Sequence, residues 1–157
     1  MIFKITLASV SVGMTSAVML PELPVLSPEE KEKLLIDLNQ FCEPYGIVFF
    51  RSCFDFVGAD LRVRPIQQGG HTGPPLRVSC TNFRKACGRP LGSFLPTGSD
   101  GVKLNAWMTE IQMFLHQHSI NQIRRERGDQ TLDILWFEKV SFFKNLLIWT
   151  KKLCNPK

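Results

Sequence analysis

The stretch LNAWMTEIQMFLHQHSINQIRRERGDQTLDILWF, residues 104–137, decides the fold. Apolar side chains fall at Leu104, Trp107, Met108, Ile111 and Leu115, with Phe114 beside them and His118 in phase. That three-and-four spacing puts one stripe on one helical face. The helix is expected to begin after the turn formers Pro96, Gly98 and Ser99, with the Asp100 carboxylate as N-cap for the first-turn amides. A second start is expected at Ser119, because Ser119-Ile120-Asn121-Gln122 has the S-x-x-Q form of a capping box. Gly128 offers a left-handed stop, and Arg124, Arg125 and Arg127 before it suit the negative end of a helix dipole. Leu132–Phe137 then reads as a short buried strand that returns Trp136 and Phe137 to the first helix. The stretch is thus a helix pair over about 101–127 followed by a returning strand.

Working toward the N-terminus, Ser27-Pro28-Glu29-Glu30 is the clearest helix start in the chain. Ser27 is the N-cap, Pro28 takes the first helical position, and Glu30 closes a capping box. The helix is expected over about 28–42, with Leu34, Leu35, Leu38 and Phe41 inward and Lys31, Glu32, Lys33 and Asp37 in water. Pro44 and Gly46 end it, and Ile47–Phe50 reads as a short apolar strand. Residues 2–20 read as two strands joined near Gly13-Met14. Their apolar run also outlines a signal peptide ending at Thr15-Ser16-Ala17, but Thr6, Ser9, Ser11, Gly13 and Thr15 interrupt it, so strands are preferred. A cytoplasmic location is expected, with secretion as the minority alternative. The fold class is α+β, as one domain over residues 1–157.

From Asp55 to Gly88 the glycines and prolines break every period, which predicts a long irregular basic insertion. Arg62, Arg64, Arg77, Arg84 and Lys85 face only Asp55 and Asp60 there, yet Phe83 is nearly the sole aromatic residue among the cations, so nucleic acid is not an expected partner. Gly69-Gly70-His71-Thr72-Gly73 lacks the G-K-[ST] of a phosphate-binding loop. Residues 138–157 form a basic, apolar tail, and Lys139–Leu153 has the spacing of an amphipathic helix able to lie on a membrane surface. No run reaches the roughly 20 apolar residues of a membrane span.

The 157 residues are 44% hydrophobic and 21% charged with a formal charge of +5, an ordinary globular balance that leaves room for an anionic partner. Five cysteines with no C-x-x-C pair signal neither a disulfide framework nor a zinc ribbon. His71, Cys80 and Cys87 match no ligand spacing. His116 and His118 lie about 200° apart on a helix, so only a helix end at Gln117 would bring them together. No G-x-S-x-G nucleophile elbow is present, Ser99 has no visible base, and Glu110 reads as a solvated acid. No catalytic residue, metal or cofactor is expected.

Leu95-Pro96-Thr97-Gly98-Ser99-Asp100, the run Asn105 to Asn121 with its Gln112-Met113 and His116-Gln117-His118, Arg125-Glu126-Arg127-Gly128 and Leu135-Trp136-Phe137 together resemble the RpfE-type regulatory protein family of bacteria. Its members carry an L-P-x-G-x-D turn, an L-N-E-x-Q-M-x-x-H-x-H-P-V-N helix, an A-R-G or E-R-G turn and an L-W-x-W-G-G-G ending. The resemblance is specific over about residues 90–137 and weaker over 10–51. The chain departs from the pattern at Ser119, where the family has proline, and at Glu138-Lys139-Val140, where it has W-G-G-G. It departs again over Asp55–Arg77, which looks like a translated interspersed DNA repeat. The resemblance therefore implies a truncated, interrupted family member, a single but incomplete domain that would leave Trp107, Ile111 and Trp136 exposed.

What the resemblance implies for function is a regulatory-type protein that acts by binding. His116, His118, Asn121, Arg124, Arg125 and Arg127 are its expected binding surface, for a protein partner or a small anion at the start of the second helix. Some family members carry a cofactor-independent phosphoglycerate mutase label, so a remnant of a metal-dependent phosphomutase or phosphatase is one alternative. A peripheral membrane protein held by residues 139–153 is another.

Overall fold

The computed structural model describes residues 2–45, 49, 60–62 and 77–139. Strand β1 (Ile2–Ala8) is central in a three-stranded antiparallel sheet, between β4 (Asp60–Arg62) and β5 (Ile134–Lys139). Its register with β5 runs from Phe3 opposite Lys139 to Ala8 opposite Ile134. Strands β2 (Val10–Val12) and β3 (Ala17–Met19) make a separate antiparallel hairpin, turning over Gly13–Ser16. Among the described residues the α-helices are α1 (Pro28–Cys42), the single turn α2 (Phe83–Ala86), α3 (Gly101–Gln117) and α4 (Ser119–Arg127). The class is α+β, as the sequence predicts.

At Ser9 the chain leaves β1 for β2, and the break is tied down by residues far away in sequence. The Ser9 hydroxyl donates to the Thr131 carbonyl at 2.5 Å, the Asp133 N–H donates to the Ala8 carbonyl, and the Asp133 carboxylate accepts from the Val10 N–H at 2.7 Å. The three bonds pair main-chain groups at the corner between the two sheets with partners more than 120 residues away.

The core lies between the sheet and the α1–α3 layer. Leu104, Met108, Ile111 and Leu115 of α3 are buried against β5, whose Ile134, Leu135, Trp136 and Phe137 are buried on both faces. Leu34 and Leu38 close it from α1. Burying side chains of this size contributes roughly 1.5–3 kcal/mol each, before chain entropy is set against it. Ile111 and Trp136 are therefore inside, contrary to the exposure that a truncated core implies, and Trp107 is half-buried beneath the Lys103 ammonium, 5.1 Å from the ring centroid. Along the α1–α3 seam Phe41 stacks on Phe114 at 4.5 Å.

Parts of the stretch 55–88, expected to be irregular, form regular structure, while residues 77–78 and 80–82 carry none. Residues 60–62 pair with β1, Ser79 and Thr97 form a β-bridge, and Val78, Phe83 and Ala86 are core residues. The tail expected from 138 onward likewise begins later, because Glu138 and Lys139 complete β5. Glu138 is buried, and its carboxylate accepts from the Phe83 N–H and, at 3.3 Å, from the Asn82 side-chain amide. The C-terminal amphipathic helix falls on residues outside those described. So does most of the Ile47–Phe50 strand, of which Phe49 alone is described; the Asn39 side chain holds its N–H and C=O at 2.7 and 2.9 Å.

Two caps differ from their expected form. Asp100 is the N-cap residue of α3, as expected, but its carboxylate makes no bond to the first-turn amides; it accepts from the Arg77 N–H at 2.7 Å and ties the preceding turn instead. Gly98 in that turn has φ +103°, and a Cβ there would lie 2.5 Å from the Arg77 carbonyl oxygen, so the turn requires glycine. Nor does Ser119 cap α4, since His118 holds that position. The α1 box forms as expected, Ser27 and Glu30 exchanging bonds of 3.2 and 2.8 Å. Gly128 ends α4 at φ 74°, the left-handed stop read from the sequence. Among the described residues no helix is long and apolar enough to cross a membrane.

Candidate functional site

The six residues expected to form one binding surface divide into two sets. His116, Arg125 and Arg127 are exposed, while His118, Asn121 and Arg124 are buried. Each buried member has its polar atoms occupied by the fold. Asn121 donates to the Leu115 and Leu132 carbonyls at 2.7 and 2.8 Å and accepts from the Leu132 N–H at 2.8 Å, which clamps the end of α3 to the strand segment before β5. Arg124, its side chain 5% exposed, lies against both Glu30 oxygens at 2.9 and 3.0 Å and donates further to the carbonyls of Gln130 and Val25. A buried guanidinium needs this full set of partners.

His118 marks the helix break that the spacing of the two histidines requires. The α3 helix does end at Gln117, but His118 turns inward and His116 stays in solvent. The His118 Nδ1 accepts from the Ile120 N–H at 3.2 Å, so the ring proton sits on Nε2 and donates to Asp37 at 2.9 Å. Asp37 is therefore not the solvent-facing residue of the helical period. Lys33, bonded to it at 2.8 Å, and then His118 hold its carboxyl below the ordinary value against the opposing effect of burial. Glu30, likewise, looks purely local in sequence and serves two elements at once.

These ties build the walls of a groove of about 860 Å³ between the entry to α1 and the outer face of α4. Its walls carry Val25, Glu29, Ile123, Arg127 and Asp129 over the Glu30–Arg124 pair. Val25 is 86% exposed and Ile123 44%. Arg127 has no hydrogen bond or ion pair among the described residues, whereas Arg125 donates to the His116 carbonyl at 3.3 Å, away from the groove lining. The Ser27 hydroxyl and its own N–H hold the Glu29 carboxyl below its ordinary value. The start of α4 does not offer a bare anion site, because the His118 ring already takes the Ile120 N–H.

No family model, curated protein or solved structure matches this chain. The geometry of the site is accordingly what bears on function. Among the described residues no group of three or more His, Cys, Asp or Glu is placed to hold a metal ion. Cys42 and Cys87 are free thiols, and burial pushes the Cys42 thiol up to about 12, which makes it unreactive. Sequence reasoning named Arg124 and Arg127 but missed Val25, Ile123 and Asp129. An apolar residue before an N-cap and one on a polar helix carry no signal of exposure until the two elements are seen side by side.

Proposed function

We propose that this chain is a cytoplasmic binding protein of the regulatory type that it resembles, and that it takes an extended segment of a protein partner into the α1–α4 groove. The observation that carries the reading is the meeting of two exposed aliphatic side chains, Val25 and Ile123, with the unpaired Arg127 guanidinium in one concavity. Small apolar side chains of a bound segment would cover the first two, and a carboxylate would meet the third. The groove is pre-formed, since Arg124 and Glu30 fix its floor without any ligand, so little ordering cost opposes binding. Free thiols at Cys42 and Cys87 accord with a reducing compartment.

The test is selection of short random peptides on the purified full chain, followed by titration of the enriched sequences. Peptides combining aliphatic and acidic residues are expected, and Arg127→Glu and Ile123→Asp should each weaken their binding by roughly tenfold or more. Failure to enrich any peptide, or enriched peptides indifferent to both substitutions, refutes the reading.

A further inference from the structure

A second surface, away from the groove, combines full exposure of apolar side chains with an unopposed set of cations. At the β2–β3 hairpin Val12 is 80% exposed and Met14 106%. Residues 7–20 contain no charged side chain, while residues 77–99 contain Arg77, Arg84, Lys85 and Arg89 and no acid. The fold brings the two segments together. Val12 is opposite Ala17 in the hairpin, and the next residue of β3, Val18, bridges to Pro90. Three rows of chain therefore lie side by side at about 4.8 Å spacing, which places the Arg89-Pro90 turn on the order of 10 Å from β2. The Gly88 N–H donates to the Met19 carbonyl at 3.1 Å, and the Cys87 Sγ lies 3.6 Å from the Leu20 carbonyl oxygen, so the two segments are pinned together.

Arg84, Lys85 and Arg89 are all exposed, and none makes an ion pair among the described residues. The acids around them are few. Among the described residues Asp133 is engaged by the Val10 N–H and Glu138 is buried on Asn82 and Phe83, which leaves Glu22, exposed beyond the end of β3. The apolar side chains project from a tip that otherwise carries Ser11, Thr15 and Ser16, groups compatible with a headgroup layer.

We propose that the β2–β3 hairpin and the Arg84, Lys85 and Arg89 cluster together form a docking surface for an anionic phospholipid bilayer. The hairpin inserts Val12 and Met14 below the headgroups, and the three cations meet lipid phosphates and carboxylates. A lipid surface fits better than nucleic acid because, among the described residues, no exposed aromatic ring accompanies the cations to stack on bases; Phe83 is buried and Phe94 half-buried. It fits better than a folded protein because the apolar residues stand out from the surface, Val12 and Met14 being almost fully exposed. The proposal is independent of the groove, none of whose lining residues it uses.

The test is sedimentation of the full chain with vesicles of phosphatidylcholine alone or mixed with phosphatidylserine. Binding is expected to the mixed vesicles and to fall as salt rises. Removing the cations as Arg84→Gln, Lys85→Gln and Arg89→Gln should weaken it roughly fivefold for each, and Val12→Asp with Met14→Asp by about tenfold or more. All are exposed positions, so the variants should keep the wild-type melting curve, and that measurement separates lost docking from lost folding. Equal binding to neutral vesicles overturns the proposal. So do full-strength binding by both variant sets, as an attachment through other residues would give, and tighter binding to single-stranded RNA than to mixed vesicles at the same salt.

Discussion

The starts of α1 and α4 look alike in sequence and are built on different principles. Each presents a serine followed three residues later by a glutamate or glutamine, the pattern of a reciprocal cap. At α1 the pattern is the structure: Ser27 and Glu30 exchange bonds across one turn, with Pro28 setting the first helical φ. At α4 Ser119 has moved one position into the helix, and its predecessor His118 caps with a ring nitrogen while its other nitrogen reaches Asp37, 81 residues earlier. One start is written in four residues, whereas the other exists only when α1 is in place. Glu30 joins the two, because the oxygen that closes the α1 box also accepts from Arg124, 94 residues later.

The strongest way to break that linkage is Arg124→Ala. It removes a buried cation, leaves the Glu30 carboxylate with the Ser27 N–H alone, and leaves the carbonyls of Val25 and Gln130 without the guanidinium donor. A loss of about 3–5 kcal/mol in unfolding free energy is expected, measured by denaturant titration. Ser27→Ala should cost only about 1 kcal/mol in the same assay, because it removes a local cap and nothing distant. Comparable losses from the two would mean that the Glu30–Arg124 pair does not couple the helices.

A second, smaller effect is carried by pH. The Asp37 carboxyl titrates lower in the folded chain than in the unfolded one, so the unfolded state takes up its proton first on acidification. Its contribution to stability is fully present above the unfolded value, about 3.9, and is lost as pH falls through the lower folded value. Since Lys33 depresses the carboxyl more than His118 does, Lys33→Ala should flatten the acid limb of the stability profile more than His118→Ala. The reverse order would place the dominant Asp37 partner on α4.

The same contrast explains what the sequence made legible. The Ser27 box, the Gly128 stop, the α3 stripe, the hairpin turn at Gly13 and the α+β class all rest on neighbours within a few residues, where propensity and period act directly. Beyond that range side-chain type is ambiguous. Asp37 sits at a polar position of an amphipathic helix, and nothing local distinguishes a solvated carboxylate from one that receives a histidine. Arg124 and Asn121 are chemically fit for a ligand and equally fit to satisfy buried main chain, and only the fold decides between the two. The pairing of β1 with β5 and the burial of Glu138 likewise depend on partners remote in sequence. For the candidate site, the sequence identified α4 as the polar element but could not divide its inward from its outward residues.

The finest discrimination between the two starts is Ser119→Ala. If Ser119 were the N-cap of α4, the substitution would cost about 1 kcal/mol, as Ser27→Ala should at α1. With His118 in that position Ser119 is the first helical residue, exposed, and its hydroxyl makes no hydrogen bond among the described residues. Alanine has the better intrinsic helix propensity, so the change should lie within about 0.5 kcal/mol of zero and is expected on the stabilising side. His118→Ala supplies the matching control: it deletes both the cap and the Asp37 bond, and a loss of about 1–2 kcal/mol is expected. The sign of the Ser119 result carries the decision, because a cap and a first-turn residue respond to alanine in opposite directions while the backbone around them is the same.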